Sequence, residues 1–164
     1  MKIKISYILS LFIFSQTLLP QNKDSLIAAL KNAKQDTTRC NILNALVETE
    51  ADDSIWPLYN EQLKTLCETN LKRYSASHPL HLFYTKKFAD ALSNRASFYQ
   101  LNGDIFKALS YYNQSLNILK NINDKKRISI NLIHLGSLYQ HQGDTRKALN
   151  YFRKSLRSCS KFCE

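Results

Sequence analysis

Glycine and proline are scarce in this chain, three of each in 164 residues. Those residue types break helices and shape turns, so little in the sequence interrupts helix. No Gly-rich nucleotide-binding segment, Gly-x-Ser-x-Gly elbow or His-Glu-x-x-His sequence occurs. Without them nothing indicates a phosphate cradle, a nucleophile with its base, or a zinc hydrolase. His78, His81, His134 and His141 stand at no recognised zinc spacing, and no cysteine or carboxylate is placed to complete either pair. Capping or solvated histidines are the expectation. No metal, cofactor or enzymatic activity is expected from these residues. Acid is short too, with 13 Asp and Glu against 23 Lys and Arg.

The formal charge of +10 points to an acidic partner, but part of it belongs to the amino terminus, where Lys2 and Lys4 precede the apolar run Ile5 to Phe14. That order, charged then apolar then polar from Gln21-Asn22-Lys23-Asp24, has the form of a secretory signal peptide over residues 1–20. Extended to Leu19, the run still falls short of the ~20 residues a spanning helix needs. Small residues at Ser15 and Thr17 allow a cut after either one. An uncleaved anchor is the competing reading, and membrane association is expected only in that case. No cysteine follows closely enough to take a lipid. Export to the periplasm or cell envelope of a bacterium is the expectation.

After this segment the chain reads as consecutive helices. Asp24-Ser25 can cap a short one through Leu26, Ile27 and Leu30, and Asp36-Thr37-Thr38 can break it and cap the next, about 38–50. Pro57 suits the first turn of a helix reaching Tyr74. Residues 24–79 thus form irregular amino-terminal helices that include a degenerate hairpin. Ser75 to Pro79 is a further break. Four helices are then predicted, about 80–101, 104–120, 127–141 and 144–160, with the polar stretch Asn121 to Lys126 as a link.

The strongest signal lies in this second half. Gly103-Asp104-Ile105-Phe106-Lys107-Ala108-Leu109-Ser110-Tyr111-Tyr112 returns forty residues later as Gly143-Asp144-Thr145-Arg146-Lys147-Ala148-Leu149-Asn150-Tyr151-Phe152. At the same offset Leu92/Leu132, Ser97/Ser137, Tyr99/Tyr139, Gln100/Gln140, Ser115/Ser155 and Leu116/Leu156 also coincide. A fixed period of this size marks a helical repeat array.

The segment from about Leu92 to Leu156 resembles tetratricopeptide repeats in a long form, two copies at about 89–124 and 129–164 within 80–164. The family motif falls on Leu92, Arg95, Ala96, Tyr99, Gly103, Ala108, Tyr112 and Ser115, and again on Leu132, Leu135, Gly136, Tyr139, Gly143, Ala148, Phe152 and Ser155. Arg95 stands where Leu is usual, and the closing Pro is absent from both copies. The resemblance implies an all-α, right-handed superhelical array of antiparallel helix pairs, a TPR-like α-solenoid. Small residues at Ala96/Gly136 and Ala108/Ala148 serve close helix crossings, and Tyr99/Tyr139 with Tyr112/Phe152 fill the space between helices. The whole chain is similar to the exported repeat regions of bacterial sensor histidine kinases, which implies a non-enzymatic scaffold that docks a protein or peptide partner for signalling. A free-standing periplasmic adaptor is the alternative, and a metal- or thiol-dependent enzyme a more distant one.

The resemblance also implies a concave surface lined by the first helix of each pair. That places Asp90, Ser93, Asn94, Ser97 and Gln100 beside Ile133, His134, Ser137, Gln140 and His141 as candidate partner-binding residues. Ser93 stands where a carboxylate-clamping Lys would be expected, which disfavours a chaperone-tail receptor. Cys40 and Cys67 lie symmetrically about the turn near Asp53, so an antiparallel pair brings them level. A disulfide there and two buried thiols are both open. Cys159 and Cys163 share a helix face. Late basic residues, Lys125, Lys126, Arg127, Arg146, Lys147, Arg153, Lys154, Arg157 and Lys161, read as a solvated face or as a site for an acidic partner. Nucleic acid is not expected, since export and the lack of an aromatic and basic groove motif both argue against it.

Overall fold

A computed structural model describes residues 23–160. The signal-like segment and Cys163 lie outside the described residues, as does the side chain of Cys159. Seven helices follow one another: α1 (Lys23–Asn32), α2 (Asp36–Thr49), α3 (Trp56–Arg73), α4 (Pro79–Leu101), α5 (Ile105–Asn121), α6 (Lys125–His141) and α7 (Thr145–Ser160), with no strand among the described residues. Each packs chiefly on its neighbours in sequence, as a solenoid of antiparallel pairs requires. The expected all-α array is what the chain forms.

The turns explain the order. Gly103 and Gly143 take φ of 77° and 78°, left-handed values that cost a residue with a Cβ but not glycine. Asp104 and Asp144 follow and accept from the backbone N–H of Lys107 at 3.1 Å and of Lys147 at 3.0 Å, capping α5 and α7. Between these two turns the sequence reading placed a polar link from Asn121 to Lys126. The structure instead starts α6 at Lys125 and repeats the same device, with Asn123 at φ 53° and Asp124 accepting from Arg127 N–H at 3.1 Å. The N–H groups of Asp104, Asp124 and Asp144 return to the carbonyls of Tyr99, Leu119 and Tyr139 at 2.8, 3.0 and 2.9 Å. These bonds satisfy carbonyls that each helix end would leave open. The turn therefore recurs every twenty residues from α4 to α7.

Two further local readings are corrected. Asp36 lies inside the first turn of α2 and Gln35 stands at its cap with no side-chain bond. Asp24 likewise lies in the first turn of α1, which begins at Lys23. In both places a carboxylate near the positive end of the helix dipole is favourable without being the cap. Pro57 does occupy the first turn of α3. His78 caps α4, its Nδ1 accepting from Leu80 N–H at 3.1 Å.

Two buried clusters flank α4. Tyr84 and Ala91 join Cys40, Leu43, Leu63 and Cys67 on one side, while Ala89 and Ala96 join Ala108, Tyr112, Leu116, Leu132 and Leu135 on the other. Burial on two faces ties the irregular hairpin α2–α3 to the regular pairs through one helix. Arg95, the departure from the repeat pattern, faces α3: its guanidinium lies 3.9 Å from Glu61 and over the rings of Phe98 and Tyr99. A leucine there would have left Glu61 without that neighbour.

Candidate partner-binding groove

The tyrosines of the repeat set the spacing within each pair. Tyr99 stacks on Tyr111 with centroids 5.5 Å apart, and Tyr139 on Tyr151 at 5.4 Å. Lys107 and Lys147 each lie 5.0 Å over the first tyrosine of their pair while bonding Asp104 and Asp144. Tyr112, 1 % exposed, donates to Gln100 Oε1 at 3.1 Å and meets Ser97 Oγ at 2.9 Å. So Ser97 and Gln100, expected in a groove, are committed to holding α5 against α4.

A directed chain of hydrogen bonds fixes the centre of the array. Ser115 Oγ donates to the Ala89 carbonyl at 2.8 Å, which leaves its lone pairs for Ser93 Oγ at 2.8 Å. Ser93 must then donate to Ser115, and it accepts from Asn131 Nδ2 at 3.0 Å. This order orients the Asn131 amide and leaves its buried Oδ1 without a partner. Asn60 plays the corresponding role for the first hairpin, donating to the Ala91 carbonyl at 3.0 Å and accepting from Asn94 at 3.2 Å.

Beside this chain an ionic cluster joins α4 to α6. Arg127 Nε lies 2.9 Å from Asp90 Oδ1, its Nη1 3.1 Å from Asp124 Oδ2, and Lys86 Nζ 3.2 Å from the same Asp124 oxygen. Burial pushes the Asp90 carboxyl above the usual range although Arg127 opposes it. Arg127 is also burdened by burial, but its bonds to Asp90 and Asp124 outweigh this and hold it more firmly protonated. Arg127 is thus set apart from the other late basic residues, because two carboxylates compensate its charge.

These elements line a cavity of about 310 Å³ open between α2, α4 and α6. Its walls are Asn44 and Glu48 from α2, Lys87, Asp90, Ser93 and Asn94 from α4, Leu119 from α5, and Lys126, Arg127, Ile130, Asn131 and His134 from α6. Asp90, Ser93, Asn94 and His134 are the predicted groove residues that it gathers. The His134 ring stacks on Tyr112 at 5.6 Å, and burial lowers its pKa, which favours the neutral form. Ile133, 45 % exposed, lies between the lining residues Asn131 and His134 without lining the cavity itself, and half-buried Ser137 and exposed Gln140 and His141 are farther along α6 and outside it. From the amino-terminal hairpin, α2 supplies one wall of this cavity.

Sequence reasoning missed Lys87 and Asn131, and read Arg127 only as one of the late basic residues. The signal existed: the forty-residue offset sets Lys87 on Arg127 and Asn94 on His134, on the helix face that carries Asp90. No ion pair engages Lys87 or Lys126 among the described residues.

Away from the groove, Cys40 of α2 and Cys67 of α3 lie side by side. Both are wholly buried and unbonded, with sulfurs 3.9 Å apart. The hydrogen bond to Cys40, then burial, pushes the Cys67 thiol far above its ordinary value. Among the described residues no cluster of three His, Cys, Asp or Glu could hold a metal ion, and no helix is long and apolar enough to cross a membrane.

Residues 87–161 match the family model described as Tetratricopeptide repeat. No curated protein matches the chain.

Proposed function

We propose that this chain, which carries tetratricopeptide repeats over residues 87–161, is an exported docking segment of a bacterial signalling system. It holds one segment of a partner protein in the groove between α2, α4 and α6. Repeats of this family mediate protein–protein contact, and catalysis has no part in the reading. The observation that carries the site is the cavity of about 310 Å³ in which Lys87 and Lys126 stand beside the amides of Asn44 and Asn94. Amides and ammonium groups that converge on an open groove suit the carbonyls and acidic side chains of an extended peptide. Glu48 and the Asp90–Arg127 pair set limits on that peptide, since a carboxylate is favoured only toward the two lysines. Export rests on the signal-like residues 1–20, and the signalling role on the resemblance of the whole chain.

Site-specific photocrosslinking in the native cell tests both parts. A photoreactive residue in place of Ile130 or Asn94 is expected to capture one discrete partner, and the same residue at exposed Leu101 to capture none. Capture confined to cell-envelope fractions supports export. Equal capture from all three positions, or a partner confined to the cytosol, overturns the corresponding half of the reading.

A further inference from the structure

The last helix of the described array leaves open a face that its counterpart does not. At the forty-residue offset Leu109, Tyr112 and Leu116 of α5 correspond to Leu149, Phe152 and Leu156 of α7. On α5 these side chains are covered by α6: Leu116 is 5 % exposed and belongs with Tyr112, Ile128, Leu132 and Leu135 to one buried cluster, against which Leu109 packs. On α7 Leu149 is 49 % exposed and Leu156 is 70 % exposed. The residue types are nearly the same, and the difference between the two helices is one covering helix. Burying such side chains is favourable relative to leaving them in water, so the face favours an occupant shaped as α6 is.

The charge of α7 says what that occupant must carry. Its sequence contains Arg146, Lys147, Arg153, Lys154 and Arg157 and no carboxylate. Lys147 is taken by Asp144 at 3.0 Å, and Lys154 lies 5.3 Å over the Tyr151 ring. No ion pair engages Arg146 or Arg153 among the described residues. At about 100° per residue both lie along the outer edge of the Leu149–Leu156 face. The equivalent positions on α5 are Phe106 and Asn113, so the basic rim is not part of the repeat pattern. A second copy of this chain meeting α7 with its own α7 would set cation against cation.

We propose that this face docks an amphipathic helix of a partner protein, apolar along one side and acidic along its edge, laid on α7 in the place that α6 takes on α5. The site is separate from the groove between α2, α4 and α6 and does not depend on that reading.

The test uses the full chain and two synthetic helices. One has the α6 sequence, residues 125–141, with Lys125→Glu, Lys126→Glu and Arg127→Glu; its twin keeps the three cations. In about 50 mM salt the acidic helix is expected to bind about tenfold more tightly by fluorescence anisotropy, and about 0.5 M salt to erase the difference. Leu156→Asp, at a site already 70 % exposed, is expected to abolish binding with the circular dichroism unchanged. Arg153→Glu should reverse the preference between the twins. Equal binding of the twins in low salt overturns the acidic chemistry. Binding that survives Leu156→Asp but is lost in a groove variant, Asn94→Arg, overturns the site. Concentration-dependent self-association that Leu156→Asp removes would assign the face to a second copy and overturn the proposed partner.

Discussion

The ring of Phe152 lies over Gly136 so closely that a Cβ added to the glycine would stand 2.4 Å from its Cε1. Replacing a helix-interior glycine with alanine gains about 1 kcal/mol in backbone terms. Forcing an aromatic ring out of a packed position costs about 1–3 kcal/mol. Gly136→Ala is therefore expected to lower the unfolding free energy by a net of about 1 kcal/mol, read as a lower urea midpoint, and Gly136→Ala with Phe152→Leu to recover most of it. A more stable single variant would mean that the ring turns aside at little cost.

The three interhelix turns share a backbone but not a residue, since the left-handed position holds Gly103, Asn123 and Gly143. Gly103→Ala and Gly143→Ala meet no steric neighbour, yet each is expected to cost about 1–2 kcal/mol through the positive φ alone. Asn123→Gly should instead gain about 0.5 kcal/mol. Denaturant titrations of the three variants decide it, and three equal effects would sink the explanation.

Asp124 gives the fold an acid-sensitive joint. Burial raises its pKa, but the Arg127 N–H and the side chains of Lys86 and Arg127 outweigh this and hold it below the ordinary 3.8. A carboxylate depressed in the folded state stabilises above its unfolded value and loses that contribution as pH falls through the folded one. Asp104 and Asp144 are depressed in the same sense by Lys107 and Lys147. Thermal stability should thus fall as pH drops below 3.8. Asp124→Asn, which keeps a capping oxygen and loses the charge, should begin lower and fall less steeply. A parallel curve for the variant would place the acid limb on other groups.

Cys40 and Cys67 bring two buried sulfurs to 3.9 Å across α2 and α3. Refolding in a glutathione redox buffer is expected to yield a chain two hydrogens lighter, with the electrons passing to glutathione disulfide. Closing a loop of this length stabilises by about 3 kcal/mol on chain entropy alone. Without unfolding, neither thiol should react with a water-soluble disulfide reagent, because both are fully covered. An unchanged mass after oxidative refolding would establish the pair as packing residues.

Helix order and the repeat were legible because both rest on local chemistry. Leu, Ala and Tyr at helical spacing, and Gly-Asp at two corners, act through neighbours a few residues away. The corner at Asn123-Asp124 was hidden because asparagine is ordinary in polar links, and only its φ of 53° marks it as the counterpart of a glycine. The candidate site was less legible. Ser97 and Gln100 read as groove residues, yet Tyr112 claims both. Lys87 read as one surface cation among many.

The sequence by itself determined an array of helices, their turns and the residues that space each pair, since those depend on backbone propensity and on contacts repeated at a fixed period. Only the tertiary structure decided that α2 walls the groove, that Arg127 is spent on Asp90 and Asp124, and that Leu149 and Leu156 stand uncovered. Each of these depends on which distant helix arrives at a given face and what charge or apolar surface it brings, and no period within the chain encodes that.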